Sequence, residues 1–165
     1  MPTRLVLLAD THLPKRAKAL PDAVWRAIDA ADGVVHAGDW VDEATLDELL
    51  SCTGLLLGCA GNNDGRALHA RLPEVARAEL DGVRLGVVHE TGDAKGREAR
   101  MDERFPDLDL LVFGHSHIPW DTTTPRGLRL LNPGSPTDRR RQPFRTFLTV
   151  VLDGGRVDGT LHRIR

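Results

Sequence analysis

Seven side chains that suit metal chemistry stand directly after predicted strands. They combine carboxylates, one amide oxygen and neutral imidazoles, a donor set typical of a borderline-hard divalent transition metal. No cysteine belongs to the set, so a soft thiolate site is not indicated. The seven residues are Asp10, His12, Asp39, Asn62, His89, His115 and His117.

Seven donors exceed the four that one tetrahedral ion needs, and they supply two ions if one carboxylate bridges them. Asp39 is the expected bridge, because it is central in the sequence and Gly38 before it allows close backbone approach. Between two such ions a bridging water loses its proton near neutral pH and becomes the nucleophile. The predicted chemistry therefore needs no serine or cysteine nucleophile.

Most of these motifs also have a purely structural interpretation. Asp10-Thr11-His12 fits a turn or a cap, Gly38-Asp39 fits a turn, and Gly61 to Asp64 fits an Asx-turn loop. His89 alone is typical of a strand end. Gly114-His115-Ser116-His117 favours a metal by itself. Their co-occurrence, each after a strand, favours one shared site.

The elements that must position these groups alternate between strand and helix patterns and end in closely spaced strands, which predicts a mixed α/β class. Carboxyl ends of strands in such sheets converge on one ligand-binding crevice. We expect one domain over residues 1–165, built from two packed sheets with helices outside. Predicted strands cover 4–9, 34–36, 55–57, 77–80, 84–88, 109–113, 127–131, 145–152 and 156–162. Predicted helices cover 21–30, 42–50 and about ten residues from Ala94.

Charge and composition limit the classes of binding partner that the sequence indicates. The 165 residues include 22 Lys+Arg and 24 Asp+Glu, a formal net charge of -2. This balance gives no bulk attraction for polyanions, so the net charge does not indicate a nucleic-acid partner. Arg139 to Arg141, with Arg145 nearby, could contact a phosphate or form a solvated loop.

No run approaches the roughly 20 apolar residues of a membrane span, and Cys52 and Cys59 without a leader suggest a reducing cytoplasm.

The ordered motifs resemble those of the calcineurin-like metallophosphoesterases over most of the chain. Small size and the segment Asn132-Pro133-Gly134-Ser135 make it similar to the compact bacterial and archaeal phosphodiesterase branch. The resemblance implies an α/β fold, a four-layer αββα sandwich of two mixed sheets flanked by helices, with a binuclear metal site at one edge. It also implies hydrolysis of a phosphodiester, with monoesters as further substrates.

The same resemblance implies two ligand sets and manganese as the metal, with iron, nickel or zinc as alternatives. One set is Asp10, His12, Asp39 and His117, and the other is Asp39, Asn62, His89 and His115.

Two departures from the family bear on mechanism. Phosphatase members carry a histidine that assists the leaving group after the metal-binding asparagine, whereas this chain has Asn63. We expect Asn63 to donate an amide hydrogen bond to a phosphate oxygen, Asp64 to fix the loop and Arg139 to bind substrate. His69 is a distant candidate for the missing acid, and a helix-surface position is the favoured interpretation. Glu90-Thr91-Gly92 follows His89, where many small relatives have glycine and further histidine.

Two other functions stay open at this stage. One is a noncatalytic scaffold, as in the retromer subunit that resembles this fold, although intact ligands argue against it. The other is a nuclease or RNA-processing phosphodiesterase that grips the polymer through Arg139 to Arg141. Salt-sensitive oligonucleotide binding would indicate the latter.

Overall fold

The computed structural model describes residues 1–165 and contains two five-stranded sheets and four helices. The strands are β1 (Thr3–Leu8), β2 (Gly33–His36), β3 (Leu56–Gly58), β4 (Val75–Leu80), β5 (Val83–Val88), β6 (Leu110–Val112), β7 (Trp120–Thr123), β8 (Arg129–Asn132), β9 (Arg145–Asp153) and β10 (Arg156–Ile164). The first sheet has the order β10-β9-β1-β2-β3 and the second β4-β5-β6-β8-β7. The helices are α1 (Asp22–Asp29), α2 (Glu43–Cys52), α3 (Arg66–Arg71) and α4 (Arg97–Arg104).

Three apolar clusters define four layers. The largest lies between the two sheets and joins residues such as Leu7 and Leu85, one from each sheet. A second packs α1, α2 and α3 on the outer face of the first sheet, and a third packs α4 on the outer face of the second. The predicted four-layer sandwich of two mixed sheets is therefore confirmed.

The central strand β1 shows why its sequence is apolar throughout. Leu5 and Leu7 point into the cluster between the sheets, whereas Val6 and Leu8 point into the helix-covered cluster. Because successive strand residues face opposite sides, a strand covered on both faces needs an unbroken apolar run.

Parallel pairing brings the site-bearing loops to one edge. In the first sheet β1, β2 and β3 run parallel, and in the second β5, β6 and β8 do so. Every predicted ligand follows one of these strands, so the ligands leave their strands at carboxyl ends. The fold thus gathers them without any dedicated element.

Most predicted elements appear with small boundary shifts. The Asp81-Gly82 turn joins β4 and β5 with both residues at positive φ, 47° and 78°, as a tight hairpin requires. The helix expected from Ala94 begins at Arg97, and α2 extends to Cys52. Strand β7 lies outside the predicted set. None of the helices is long and apolar enough to cross a membrane.

Candidate metal centre

The loops that carry the predicted ligands adopt an uncommon backbone conformation. Left-handed φ values for non-glycine residues cost energy and cluster at functional sites. In this structure several such residues lie in the ligand loops at one sheet edge. The positive φ angles are 56° at Asp10, 46° at His12, 61° at Asp39, 75° at His115 and 63° at His117.

Two carboxylates lie among three imidazoles at the centre of the site. Oδ2 of Asp39 lies 3.3 Å from Nε2 of His12 and 3.4 Å from Nε2 of His89. Oδ1 of Asp10 lies 3.7 Å from Nε2 of His117 and 3.9 Å from the same atoms of His12 and His89. Asp39 therefore contacts one histidine from each predicted ligand set, as a bridging carboxylate must.

Backbone carbonyls fix which nitrogen of two histidines faces the centre. Nδ1 of His117 lies 2.6 Å from the carbonyl oxygen of Asp138, and Nδ1 of His89 lies 2.7 Å from that of Ala37. A carbonyl only accepts, so each Nδ1 carries the proton and donates it. Nε2 of each ring therefore faces the carboxylates, the arrangement that metal-binding histidines use.

Three buried polar atoms in this cluster have no hydrogen-bond partner: Oδ1 of Asp10, Nε2 of His12 and Nε2 of His117. Burying such atoms unpaired is costly. All three belong to one group whose ligand atoms lie within 4.8 Å of one another. A divalent cation would satisfy them together, so the residues present fit a metal ion.

The second ligand group lies nearer to solvent. The Asn62 amide is 2.9 Å from Nε2 of His89 and 3.3 Å from Nδ1 of His115, whose side chain is 50% exposed. Glu90 joins this group, with Oε1 3.7 Å from Nδ1 of His115. We did not predict Glu90 as a ligand, although a carboxylate directly after His89 at a strand end carries the same signal as the others.

Burial and mutual charge shift the ionisation of the cluster. Burial raises the pKa of Asp10 to about 7, against the opposing charge of His89. Burial also acts on Asp39, but its close contacts with the His12 and His89 imidazoles outweigh burial and hold the pKa of Asp39 well below its usual range. For His89, burial is outweighed by Asp39 and Asp10, and the pKa rises to about 9. Burial lowers the pKa of His117 to about 4.

Asn63 and Asp64 both act on the Asp39 loop. The amide nitrogen of Asn63 donates to Oδ2 of Asp39 at 2.8 Å, and its backbone N–H donates to Oδ1 at 2.9 Å. The Asp64 carboxylate accepts hydrogen bonds from the N–H groups of Asp39, Val41 and Gly61. Asp64 therefore fixes the loop, as expected, and the Asn63 amide is bound to a ligand carboxylate.

His36 is a structural neighbour of the site. Gly38 N–H donates to its Nδ1 at 3.1 Å, so Nε2 carries the proton and donates to Oγ1 of Thr11. Its ring stacks on Trp40, with centroids 3.6 Å apart. Burial, with the charge of His89, lowers its pKa to about 3. His36 thus stays neutral and joins the β1 and β2 loops.

The segment after β8 ties the ligand loops together. Oγ of Ser135 donates to the Asp10 carbonyl at 2.8 Å, and Oγ1 of Thr137 donates to the Thr11 carbonyl at 2.6 Å. Nδ2 of Asn132 donates to the Gly114 carbonyl at 3.2 Å. The sequence marked residues 132–135 only as a family feature, and their supporting role depends on β8 lying beside β6.

The arginine-rich loop, residues 139–141, directly follows Asp138, whose carbonyl oxygen accepts a hydrogen bond from Nδ1 of His117. Within it, Nη1 of Arg139 donates to the Gln142 carbonyl at 2.6 Å, so this guanidinium is bound within its own turn. Arg140 follows with φ 50°, and its charge lowers the pKa of His117 further, after burial.

Comparison with known proteins identifies the family. Residues 3–155 match the calcineurin-like phosphoesterase superfamily domain, and the chain belongs to this superfamily. A "probable metallophosphoesterase" of Methanothermobacter thermautotrophicus is 30% identical over 95% of this chain and 90% of its own length. A protein of the same description from Methanocaldococcus jannaschii is 33% identical over 89% of this chain and 74% of its own.

Solved structures share the fold. Vacuolar protein sorting 29 (Vps29) of Cryptosporidium parvum has a TM-score of 0.86 at 21% identity, covering 99% of this chain and 92% of that one. A Thermotoga maritima protein solved by NMR has a TM-score of 0.77 at 31% identity, covering 98% and 99%. Vps29 of Entamoeba histolytica, solved with zinc, has a TM-score of 0.73 at 20% identity, covering 97% and 98%.

Proposed function

We propose that this chain is a metal-dependent phosphodiesterase whose centre binds two divalent transition-metal ions. The observation that carries the proposal is the cluster of buried, unpaired ligand atoms on Asp10, His12 and His117, joined through Asp39 to His89. Membership of the phosphoesterase superfamily supports the same conclusion.

The residues divide between two positions with Asp39 shared. We propose manganese as the metal, as the family resemblance implies, with iron, nickel or zinc as alternatives, since a set of oxygens and imidazole nitrogens is compatible with each of them. The zinc-bound Vps29 supports zinc as an alternative for this fold. Asp10, His12, Asp39 and His117 would hold one ion, and Asp39, Asn62, His89 and His115 the other.

When bound, divalent ions at these positions would supply charge neutralisation for phosphoryl oxygens and a water molecule of lowered pKa, which hydrolysis near neutral pH needs. Other residues of the chain hold the metal-ligand side chains in the orientation that this chemistry requires. The carbonyls of Ala37 and Asp138 accept from Nδ1 of His89 and His117 and keep Nε2 of each ring facing the centre. Asn63 steadies both oxygens of Asp39, and Asp64 holds the backbone beneath it. Such fixed positions lower the reorganisation that the reaction requires.

Substrate contacts follow from the loops around the centre. Asn63 and Arg139 stay our predicted substrate-binding residues, and a conformational release of Arg139 from the Gln142 carbonyl would let its guanidinium reach a phosphate. A small phosphoester is the proposed substrate, because the net charge of -2 gives no general attraction for a polynucleotide.

Metal add-back tests the proposal. Chelator-stripped protein is assayed with bis-p-nitrophenyl phosphate and p-nitrophenyl phosphate, with Mn²⁺, Fe²⁺, Ni²⁺, Zn²⁺ or Mg²⁺ restored singly. We expect a transition metal to restore diester hydrolysis. Absence of turnover with every metal, in folded protein that binds two ions, would contradict a phosphodiesterase.

A protein-binding scaffold is the second candidate. Its support is the fold shared with Vps29, since Vps29 of Chaetomium thermophilum is solved in complex with a cyclic peptide at a TM-score of 0.75 and 19% identity. A scaffold has no use for the unpaired ligand atoms of the present site. Metal binding without turnover would favour the scaffold.

A further inference from the structure

The position that supplies an acid in the family's phosphatases cannot do so in this chain. Asn63 occupies it, and its amide nitrogen donates to Oδ2 of Asp39 at 2.8 Å. An amide also releases no proton in the physiological range. Cleavage of an ester with a poor leaving group therefore needs a donor from elsewhere in the chain.

A cavity of about 600 Å³ opens beside the more exposed ligand group. Asn62 and His89 line it, so one of its walls belongs to the candidate metal centre. The same cavity is lined by His69 of α3 and by residues of α4. A leaving group that departs on this side of the centre enters the cavity, where it contacts the other side chains that line it.

Four other charged residues of the cavity are engaged. Arg100 donates to the carbonyls of Thr91, Asp93 and Lys95. Arg104 lies 3.8 Å from Glu74, and Glu90 lies 3.7 Å from His115. An arginine does not release its proton in proteins, and an ionised carboxylate only accepts hydrogen bonds. None of these four is suited to protonate a leaving oxygen.

His69 differs from these residues because its imidazole makes no hydrogen bond or ion pair in the structure. It is exposed, as Glu74, Glu90 and Arg104 are, and its neighbour Leu68 anchors α3 in the core. Histidine is the side chain that most often transfers protons near neutral pH. The imidazole is therefore free to contact a ligand in the cavity.

We infer that His69 is the proton donor to the leaving group, an inference that rests on the proposed phosphodiesterase function. As the bond between phosphorus and the leaving oxygen breaks, its electron pair stays on that oxygen, which takes a proton from the His69 imidazolium. The alcohol departs through the cavity, and the neutral imidazole regains a proton from water. The sequence favours a helix-surface position for His69. The structure places it on the surface of α3, and this surface lines the cavity.

Leaving-group dependence tests this role. Metal-loaded wild-type protein, His69→Asn and His69→Gln are assayed with methyl aryl phosphates whose leaving phenols range from p-nitrophenol to phenol. His162→Asn is the matched control, because His162 stacks on Phe147 and pairs with Thr149 in the β9–β10 region. Thermal unfolding and bound-metal content establish that each variant is folded and loaded.

We expect both His69 variants to keep p-nitrophenyl ester turnover within about threefold of wild type and to lose phenyl ester turnover about 10²-fold. His162→Asn should match wild type for every ester. Equal losses for all esters, or no loss for any, would overturn the inference while leaving the phosphodiesterase intact. Wild-type hydrolysis of the p-nitrophenyl ester alone would also overturn it. Failure of wild type on every ester would instead overturn the phosphodiesterase itself, and the inference with it.

Discussion

The Asp64 carboxylate accepts a hydrogen bond from the backbone N–H of Asp39 at 3.0 Å. The same Oδ2 atom accepts from Gly61 N–H at 2.7 Å, and Oδ1 accepts from Val41 N–H at 2.7 Å. One buried side chain thus joins the loop after β2 to the loop after β3. The hydrogen bond to Asp64 helps to hold the backbone of Asp39 in its left-handed conformation, φ 61°.

Removing that support should loosen the centre. In Asp64→Asn one oxygen becomes an NH₂ group that faces backbone donors, so at least one N–H loses its acceptor. We expect the unfolding free energy to fall by about 1–3 kcal/mol, with weaker metal binding. Denaturant unfolding and metal titration check both, and unchanged values for both would contradict the role of Asp64.

Gly38 is required where the backbone approaches His89. Its φ is 96°, and a β-carbon there would lie 2.7 Å from Nδ1 of His89, the atom that donates to the Ala37 carbonyl. Gly38→Ala should therefore displace His89 and reduce metal affinity at least tenfold, about 1.4 kcal/mol.

Gly127→Ala provides the matched control for Gly38→Ala. Gly127 has a similar φ, 102°, but no atom lies within 4 Å of the place that a β-carbon would take. It should lose stability through backbone strain alone, about 1 kcal/mol, and bind metal normally. Equal metal affinity of the two variants, measured by calorimetry, would show that the contact with His89 has no effect.

Metal binding should release protons and strengthen as pH rises. Without metal, the pKa of Asp10 is raised to about 7 and that of His89 to about 9, so at pH 7 His89 is protonated and Asp10 is about half protonated. Ligands bind metal in their unprotonated forms. Calorimetry at pH 7 in buffers of different ionisation enthalpy measures the release. Proton uptake, or affinity that falls from pH 6 to pH 8, would contradict these shifts.

Stability of the metal-free protein should change in the opposite direction. Raised pKa values for Asp10 and His89 mean that the folded state favours their protonated forms. Their contribution is full below the unfolded values, 3.8 and 6.5, and is lost as pH rises through about 7 and about 9. Denaturant unfolding of the metal-free protein should therefore show lower stability at pH 9 than at pH 7. Higher stability at pH 9 would contradict it.

Arg97 presents a buried cation without a carboxylate partner. Its guanidinium carbon lies 4.7 Å from the Phe113 ring centroid and 4.5 Å from that of Trp120, and Nε has no hydrogen-bond partner. Arg97→Ala should lower the unfolding free energy by about 2 kcal/mol or more, whereas Arg97→Met should stay within about 1 kcal/mol of wild type. Equal losses in denaturant unfolding would show that the charge, rather than the packing, is what stabilises.

The sequence could predict the convergence of the ligands for one physical reason. Asp10, Asp39 and Asn62 follow consecutive parallel strands, and carboxyl ends of parallel strands meet at one edge. Strand β1 was equally predictable, because burial on both faces demands an unbroken apolar run.

Other features depend on pairing that the sequence does not encode locally. Strand β7 was missed because Trp120 to Thr123 is a short edge strand of half-buried and exposed residues. Ser135 could not be assigned to Asp10, because their contact spans 125 positions and requires β8 to pair with β6. The histidine tautomers likewise depend on distant carbonyls, such as that of Ala37 for His89.

Metal stoichiometry and turnover of Asp39→Ala test the central claim most directly. Asp39 contacts both His12 and His89, at 3.3 and 3.4 Å, so its loss should affect both metal positions at once. We expect two ions per chain in wild type, and in Asp39→Ala a loss of tight binding at both positions with no detectable diester turnover. Wild-type turnover or two tightly bound ions in Asp39→Ala would contradict a shared two-metal centre.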